Sequence, residues 1–434
     1  MTAAQPPLPD SAPLAKALPP KGLPDKGLPE TARPVQASAQ KGLPDKGLPE
    51  RAEVVVVGGG VMGTSIAFHL AEAGVPGVLL LERDQLGAGS TSRCAGGVRA
   101  QFSDPVNVAL GARSLAAFEA FPQRPGQEID LHQPGYLFLL TDPDDVPVFA
   151  ESVALQNRMG VPSRLLTPRE AAQLSPGIVT GDVLAATFHA RDGYCSPESV
   201  VLGYATGARR HGATVRSGVA VTGIELSGGG ITTVTTTAGT VRTSTVICAA
   251  GAWSGPLAAG VGVHLPVTPL RRQILVTEPL TGRAADLLPS TMPMTIDAST
   301  TFYLHREGPA ALLGMSYRGE RPGEQLGYSE DWLPDLMDAV ERRCPVLAEV
   351  GMAQRWAGLY EVTPDHDALI GEAPQVSRFL YATGFSGHGF LQGPAVGEVV
   401  RDLYLGREPV VDVSGLSAAR FSLTGAGRVE RNII

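Results

Sequence analysis

Gly58, Gly60 and Gly63 form a G-x-G-x-x-G, and Glu82 stands about 20 residues beyond them. Glycines at this spacing, followed by an acid, suit the holding of a dinucleotide. Gly58 permits a tight turn, Gly60 lets the backbone come close to a pyrophosphate, and Gly63 lets a helix lie near a strand. The helix starting there turns its free N–H groups and the positive end of its dipole towards the phosphates. A carboxylate at Glu82 can accept both ribose hydroxyls and would repel a 2′-phosphate, which argues against NADP. The motif alone leaves FAD and NAD open. Past Glu82 come Arg83-Asp84 and a turn of glycines and small hydroxyl residues, Gly87 to Ser92. Such a turn brings backbone close to a ligand that extends beyond the dinucleotide, as a stretched FAD does, so Arg83, Ser90 and Thr91 are candidate contacts. The plainer alternatives are a solvated Arg83 and helix capping by Ser90-Thr91-Ser92.

The elements that must position these residues are legible around them. Val54–Val57 is a run of four β-branched residues, the pattern of a strand buried on both faces of a parallel sheet. Ile66, Ala67, Leu70 and Ala71 follow at helical spacing, Gly74 stands at a helix C′ position, and Val78–Leu81 forms a second apolar strand. Two later blocks have similar character. Val246 to Trp253 is an apolar strand ending in Ala250-Gly251, where larger side chains would collide with a cofactor. Gly384-Phe385-Ser386-Gly387-His388-Gly389-Phe390 precedes a helical pattern at Ala395, Val396, Val399, Val400 and Leu403. A helix N-terminus there can direct N–H groups at the edge of a flavin where negative charge collects. An ordinary strand-to-helix turn and a cap are the structural alternatives for these two blocks.

Together with Arg355-Trp356-Ala357-Gly358-Leu359-Tyr360-Glu361 and the run Gly87 to Ser103, these blocks resemble the FAD-dependent D-amino-acid oxidase superfamily. The sarcosine-oxidase β-subunit, glycine-oxidase and proline-dehydrogenase-like branch is nearest, over about Ala52 to Leu423. The resemblance implies an α/β protein, α+β overall, in which a glutathione-reductase-type FAD-binding Rossmann domain is interleaved with an antiparallel-sheet substrate domain. It implies FAD contacts at Gly58, Gly60, Gly63, Glu82, Arg83, Ser90, Thr91, Ala250, Gly251, Trp253, Gly384, Gly387, Gly389 and Phe390. In such proteins an arginine just past the glycine-rich turn binds the substrate carboxylate, and Arg99 occupies that place; a guanidinium grips a carboxylate bidentately. Tyr360 and His388 match positions lining the substrate face of the flavin. The implied reaction is hydride transfer from the CH–NH carbon of a small, secondary or N-methyl amino acid to flavin N5, giving an imine that hydrolyses. Positions where relatives tether flavin are Gly358 and a place near Arg93, so non-covalent FAD is expected. The strand Ala310–Gly314 lacks the lysine that activates oxygen in the monomeric oxidases, which leans towards a dehydrogenase, with oxygen or a carrier as acceptor. A flavin-binding subunit or assembly factor without independent catalysis is the alternative.

Composition bounds the rest. The net charge of −8, without a basic run, excludes a nucleic-acid partner, and no apolar run is long enough to span a bilayer. Four scattered cysteines, no metal-ligand spacing and no apolar leader point to a cytoplasmic protein without metal. Residues 1–50 hold the decapeptide KGLPDKGLPE twice, at 21–30 and 41–50, and no aromatic residue, as expected of a disordered Pro-rich arm. The FAD-binding domain is expected at 51–130, 188–265 and 355–425. Strand-like segments within 131–187 and 266–354, including Tyr136–Leu140, Arg271–Thr277, Thr301–His305 and Ala311–Met315, are expected to form the substrate domain over the flavin. Partner subunits are compatible with this reading.

Overall fold

The structure, a computed structural model, describes residues 47–422 and Glu430. The expected arm lies outside the described residues except at its end. There Leu48 packs against the core and the Glu50 carbonyl accepts a backbone hydrogen bond from Arg242 at 2.9 Å.

The predicted β1 (Val54–Val57), helix α1 (Val61–Glu72) and β2 (Val78–Leu81) all form. β1 is buried along its whole length, and the reason is two-sided packing. Val54 and Val56 face α1 and the helices Pro197–Arg210 and Gly389–Tyr404, while Val55 and Val57 face a three-stranded antiparallel sheet formed by 221–242. β1 lies inside a six-stranded sheet in the spatial order Leu369–Glu372, Phe379–Thr383, Val246–Cys248, β1, β2, Thr214–Arg216. All neighbours are parallel except the antiparallel pair at the Leu369–Glu372 edge. Carboxyl ends of the parallel strands therefore point one way, where such sheets bind ligands. Gly63 is the hinge of helix and strand: a Cβ there would lie 1.8 Å from the Gly58 carbonyl oxygen.

The second sheet has eight strands, in the order Met352–Val362, Thr268–Thr277, Ala310–Met315, Tyr303–Glu307, Met294–Asp297, Tyr136–Leu140, Ala185–His189, Arg164–Leu166. It includes all four of the strand-like segments read from the sequence. It departs from the all-antiparallel expectation at one pair, because Met294–Asp297 runs parallel to Tyr136–Leu140 after a long connection. Residues 355–362 belong to this sheet by hydrogen bonding, since Met352–Val362 pairs along its length with Thr268–Thr277; the chain reaches the six-stranded sheet only at Leu369.

Local signals fix several ends. Asp104 caps the helix Pro105–Glu119 by accepting from Val106 N, with proline in the first turn. Thr167 and Glu170 form a reciprocal capping box on Pro168–Leu174. Under the eight-stranded sheet the helix Leu333–Arg343 buries Leu336, Ala339 and Val340 beside the fully buried Trp332. Its last residue, Arg343, is 2% exposed and holds Asp297 at 2.7 Å and Asp182 at 2.8 Å.

Candidate functional site

A cavity of about 1000 Å³ runs from the carboxyl end of β1 to the face of the eight-stranded sheet. That is the upper end of the roughly 300–1,000 Å³ found for ligand sites. Of the residues singled out in the sequence, Gly58, Gly60, Glu82, Arg83, Ser90, Thr91, Ala250, Gly251, Trp253, Gly387, Gly389, Phe390, Arg99, Tyr360 and His388 line it. Gly63 and Gly384 do not. Gly63 permits the helix–strand approach, and Gly384 donates its N–H to Glu361 Oε2 at 3.0 Å.

At the nucleotide end Glu82 is fixed before any ligand arrives. Its Oε2 accepts from Gly59 N at 2.6 Å and its Oε1 from Asp84 N at 2.8 Å. Two hydroxyls of the following turn are committed within the protein: Ser90 Oγ donates to the Leu359 carbonyl at 2.6 Å, and Thr91 Oγ1 accepts from Val61 N at 3.1 Å. They tie the glycine turn to the eight-stranded sheet and to the start of α1. Arg83 pairs with Asp84 and lies 3.8 Å over the Trp253 ring, so it forms a wall of the cavity while staying half-exposed.

The other end is aromatic and cationic. Arg99 is 3% exposed, donates to the Gln101 carbonyl, and stands 4.1 Å over the Phe102 ring. Burial pulls its pKa down. Ala100 N and Gln101 Nε2 both donate to the fully buried Asp192, which holds the segment after Arg99 in place. Tyr360 lies against Gly387, whose φ is +102°, and a Cβ there would come within 2.6 Å of the ring. Only glycine admits both that backbone and that contact. His388 stands at the N-terminal boundary of the helix Gly389–Tyr404, without a capping bond from its side chain, and meets Phe102 edge-on at 5.2 Å. Burial first, then Arg99 and His366, push its pKa well below 6.5, so the ring is neutral, and among the described residues its buried Nε2 has no hydrogen-bond partner.

Four residues at this end were not singled out from the sequence. Glu361 accepts from Thr383 Oγ1 at 2.8 Å and from Gly384 N, and burial raises its pKa. It locks the Gly384–Gly389 loop to the strand that carries Tyr360. Tyr136 and Tyr303, from the eight-stranded sheet, face the cavity, and burial raises both phenols. Arg272 is the fourth. Its signal was available: Arg271 and Arg272 are adjacent in a predicted strand, so they must point to opposite faces, and one must face the site.

The residues fit a flavin dinucleotide. A Cβ on Gly60 would meet only Thr91 Oγ1 within 4 Å and otherwise take cavity space. The helix N-termini at Gly60–Val61 and His388–Gly389 both open on the same cavity. Among the described residues no cluster of His, Cys, Asp and Glu could hold a metal ion, and no helix is long and apolar enough to cross a membrane.

A parallel nucleotide sheet, a glycine turn with its acid, and a second sheet closing the far end of one long cavity define a flavoprotein of the two-sheet oxidoreductase class. The comparisons narrow this: residues 53–403 match the family described as DAO, FAD dependent oxidoreductase, and the chain belongs to it. Several of its relatives are named as amine or amino-acid oxidoreductases. It is 29% identical over 387 residues to mitochondrial dimethylglycine dehydrogenase of Mus musculus, covering 85% of this chain and 44% of that protein. The chain thus spans less than half the length of that dehydrogenase. It is 30% identical to FAD-dependent oxidoreductase domain-containing protein 1 of Xenopus laevis, over 88% of this chain and 85% of the relative. Among solved structures, L-proline dehydrogenase from P. horikoshii superposes with a TM-score of 0.80 at 33% identity, covering 86% of this chain and 99% of that one. Glycine oxidase from Geobacillus kaustophilus gives 0.76 at 25%, covering 87% and 100%.

Proposed function

We propose that the protein binds FAD non-covalently and oxidises the CH–NH bond of a small secondary or N-methyl amino acid, giving an imine that hydrolyses to an oxo acid and an amine. The observation that carries this is the buried guanidinium of Arg99, sharing with Tyr360 and His388 one cavity that continues into the nucleotide cradle. When bound, the flavin supplies the hydride acceptor. The chain's own residues then have three tasks. Arg99 clamps the carboxylate, which fixes the Cα–H in a reactive orientation. Tyr360, held by Gly387, closes the pocket and can hydrogen-bond the carboxylate or amine. His388, neutral and at the N-terminal boundary of the helix Gly389–Tyr404, offers an uncharged face to the amine, and the N–H groups that follow it would favour negative charge on the reduced cofactor. The acid near the substrate, Glu361, has Oε2 held by the loop and its pKa raised by burial, so it gives an ammonium little anionic support and the amine reacts in its neutral form.

Support for non-covalent binding comes from the places where a tether would stand. A Cβ at Gly358 would lie 2.9 Å from Arg93 Cβ, and Arg93 itself is engaged with the carbonyls of Ala88 and Ala357. Burial pushes the cavity thiol of Cys94 up to about 12, far from the thiolate that a bond would need. Anaerobic mixing with sarcosine, proline and glycine tests the function. Loss of the flavin's visible absorbance is expected with at least one of them, and acid precipitation should release the flavin intact. A flavin silent towards a broad panel of amino acids would refute the reading. Parallel assays with oxygen and an artificial acceptor decide between oxidase and dehydrogenase; the absence of lysine from Ala310–Met315 favours the latter.

A further inference from the structure

Arg272 is left unused by the oxidation of a simple amino acid. It lies in the strand Thr268–Thr277, opposite Gly358, and its guanidinium stands 5.1 Å over the Tyr360 ring at the wall of the cavity. Its neighbour Arg271 is neutralised by Glu320, through contacts of 2.9 and 3.1 Å. Arg272 has no such acid. Its Nη1 donates to the Arg271 carbonyl at 3.1 Å, and its Nε is buried with no acceptor. Among the described residues no carboxylate forms an ion pair with it. Burial pulls its pKa down, and Tyr360 and the more distant Glu320 offset this only in part.

A half-buried guanidinium whose Nε is closed off without an acceptor carries a desolvation cost, and that cost is relieved when an anion arrives. Glu361 is not hydrogen-bonded to Arg272: its Oε2 accepts from Thr383 and Gly384, and burial raises its pKa, which disfavours the anion. Arg99 acts on Tyr360 as well, so the phenol is under the influence of two guanidinium groups. A monocarboxylic amino acid with a neutral amine brings one negative charge to this end. Two cations are matched by two.

We propose that Arg272 binds a second carboxylate, so that the preferred substrate is a dicarboxylic secondary amine with its α-carboxylate at Arg99, its other carboxylate at Arg272 and Tyr360 between them. This rests on the reading of the site given above, and the test separates the two. The flavin-loaded protein is titrated by calorimetry with two unreactive thioethers, (methylthio)succinate and (methylthio)acetate. Turnover of N-methylaspartate and sarcosine is measured with an artificial electron acceptor. The diacid is expected to bind, and to react by kcat/KM, at least about tenfold better than the monoacid, the size of one charge-assisted contact. In Arg272→Met that ratio falls to within about threefold of unity, and Arg272→Lys restores part of it. A ratio at or below one in the unaltered protein, or a ratio that Arg272→Met leaves unchanged, overturns the proposal. If neither amine reacts while the thioether ratio still depends on Arg272, the anion subsite stands and the oxidation reading falls. If sarcosine reacts and the diacid has no advantage, the oxidation reading stands and the subsite falls.

Discussion

Arg99 and His388 share a burial so complete that their charge states follow from position. A guanidinium survives burial as a cation, whereas an imidazole surrounded by Phe102, Arg99 and His366 does not. The division of labour between them is therefore electrostatic. Arg99→Met is expected to lower kcat/KM by roughly ten- to a hundredfold or more, the equivalent of about 1.5–3 kcal/mol for a charged hydrogen bond. Arg99→Lys should recover part of that loss, because a point charge lacks the fork geometry. Steady-state kinetics with flavin content determined on each variant checks both. The pH profile of kcat/KM carries a second expectation. It should rise with pH towards the pKa of the substrate amine, with no inflection near 6.5, because the folded-state pKa of His388 lies well below that value. His388→Asn should leave the shape of the profile as it is. An inflection near 6.5 that vanishes in this variant would make the imidazole a titrating base.

At the scale of elements, the β1–α1–β2 unit is nearly all local information, which is why it was legible. A β-branched run, helical spacing and a glycine stop each act within a few residues. The strands of the second sheet were equally visible one by one, but their order was not. Met294–Asp297 inserts parallel beside Tyr136–Leu140, and that pairing depends on contacts far apart in the chain, about which periodicity is silent. The same limit explains Glu361: the sequence shows an acid beside Tyr360, and only the crossing of Phe379–Thr383 brings the donors that occupy it. Two variants test element-level claims. A Cβ at Gly58 would lie 2.2 Å from the Ala249 carbonyl oxygen, at a φ of +113°. Neighbouring strand backbone cannot yield to it, so Gly58→Ala should reduce flavin uptake and lower the melting temperature together. Arg343→Met should cost about 3–5 kcal/mol in urea unfolding, because it strands the buried carboxylate of Asp297. A loss below 1 kcal/mol would mean that water reaches Asp297.

Across the whole molecule, buried groups that do not line the cavity set the pH range in which the fold is stable. His69, in the last turn of α1, and His305, beside Tyr194, are both pulled down to about 4, chiefly by burial. Between pH 6.5 and 4 the unfolded chain binds protons that the folded chain refuses, so these residues make stability fall as the solution is acidified through that window. Asp367 acts in the opposite sense. Burial, only partly offset by the hydrogen bond from Asn107, raises its pKa from 3.8 to about 7. The folded state then holds a proton that the unfolded state has lost, and stability falls as pH rises from about 4 towards 7. Opposed slopes place a stability maximum inside the interval. Asp367→Asn keeps an acceptor for Asn107 and removes the second slope alone, so urea midpoints measured from pH 4 to 8 should gain most at pH 7–8 and little at pH 4, moving the maximum upwards. Gains largest at pH 4, or a maximum moved downwards, would mean that Asp367 is ionised in the folded protein and stabilised by its neighbours.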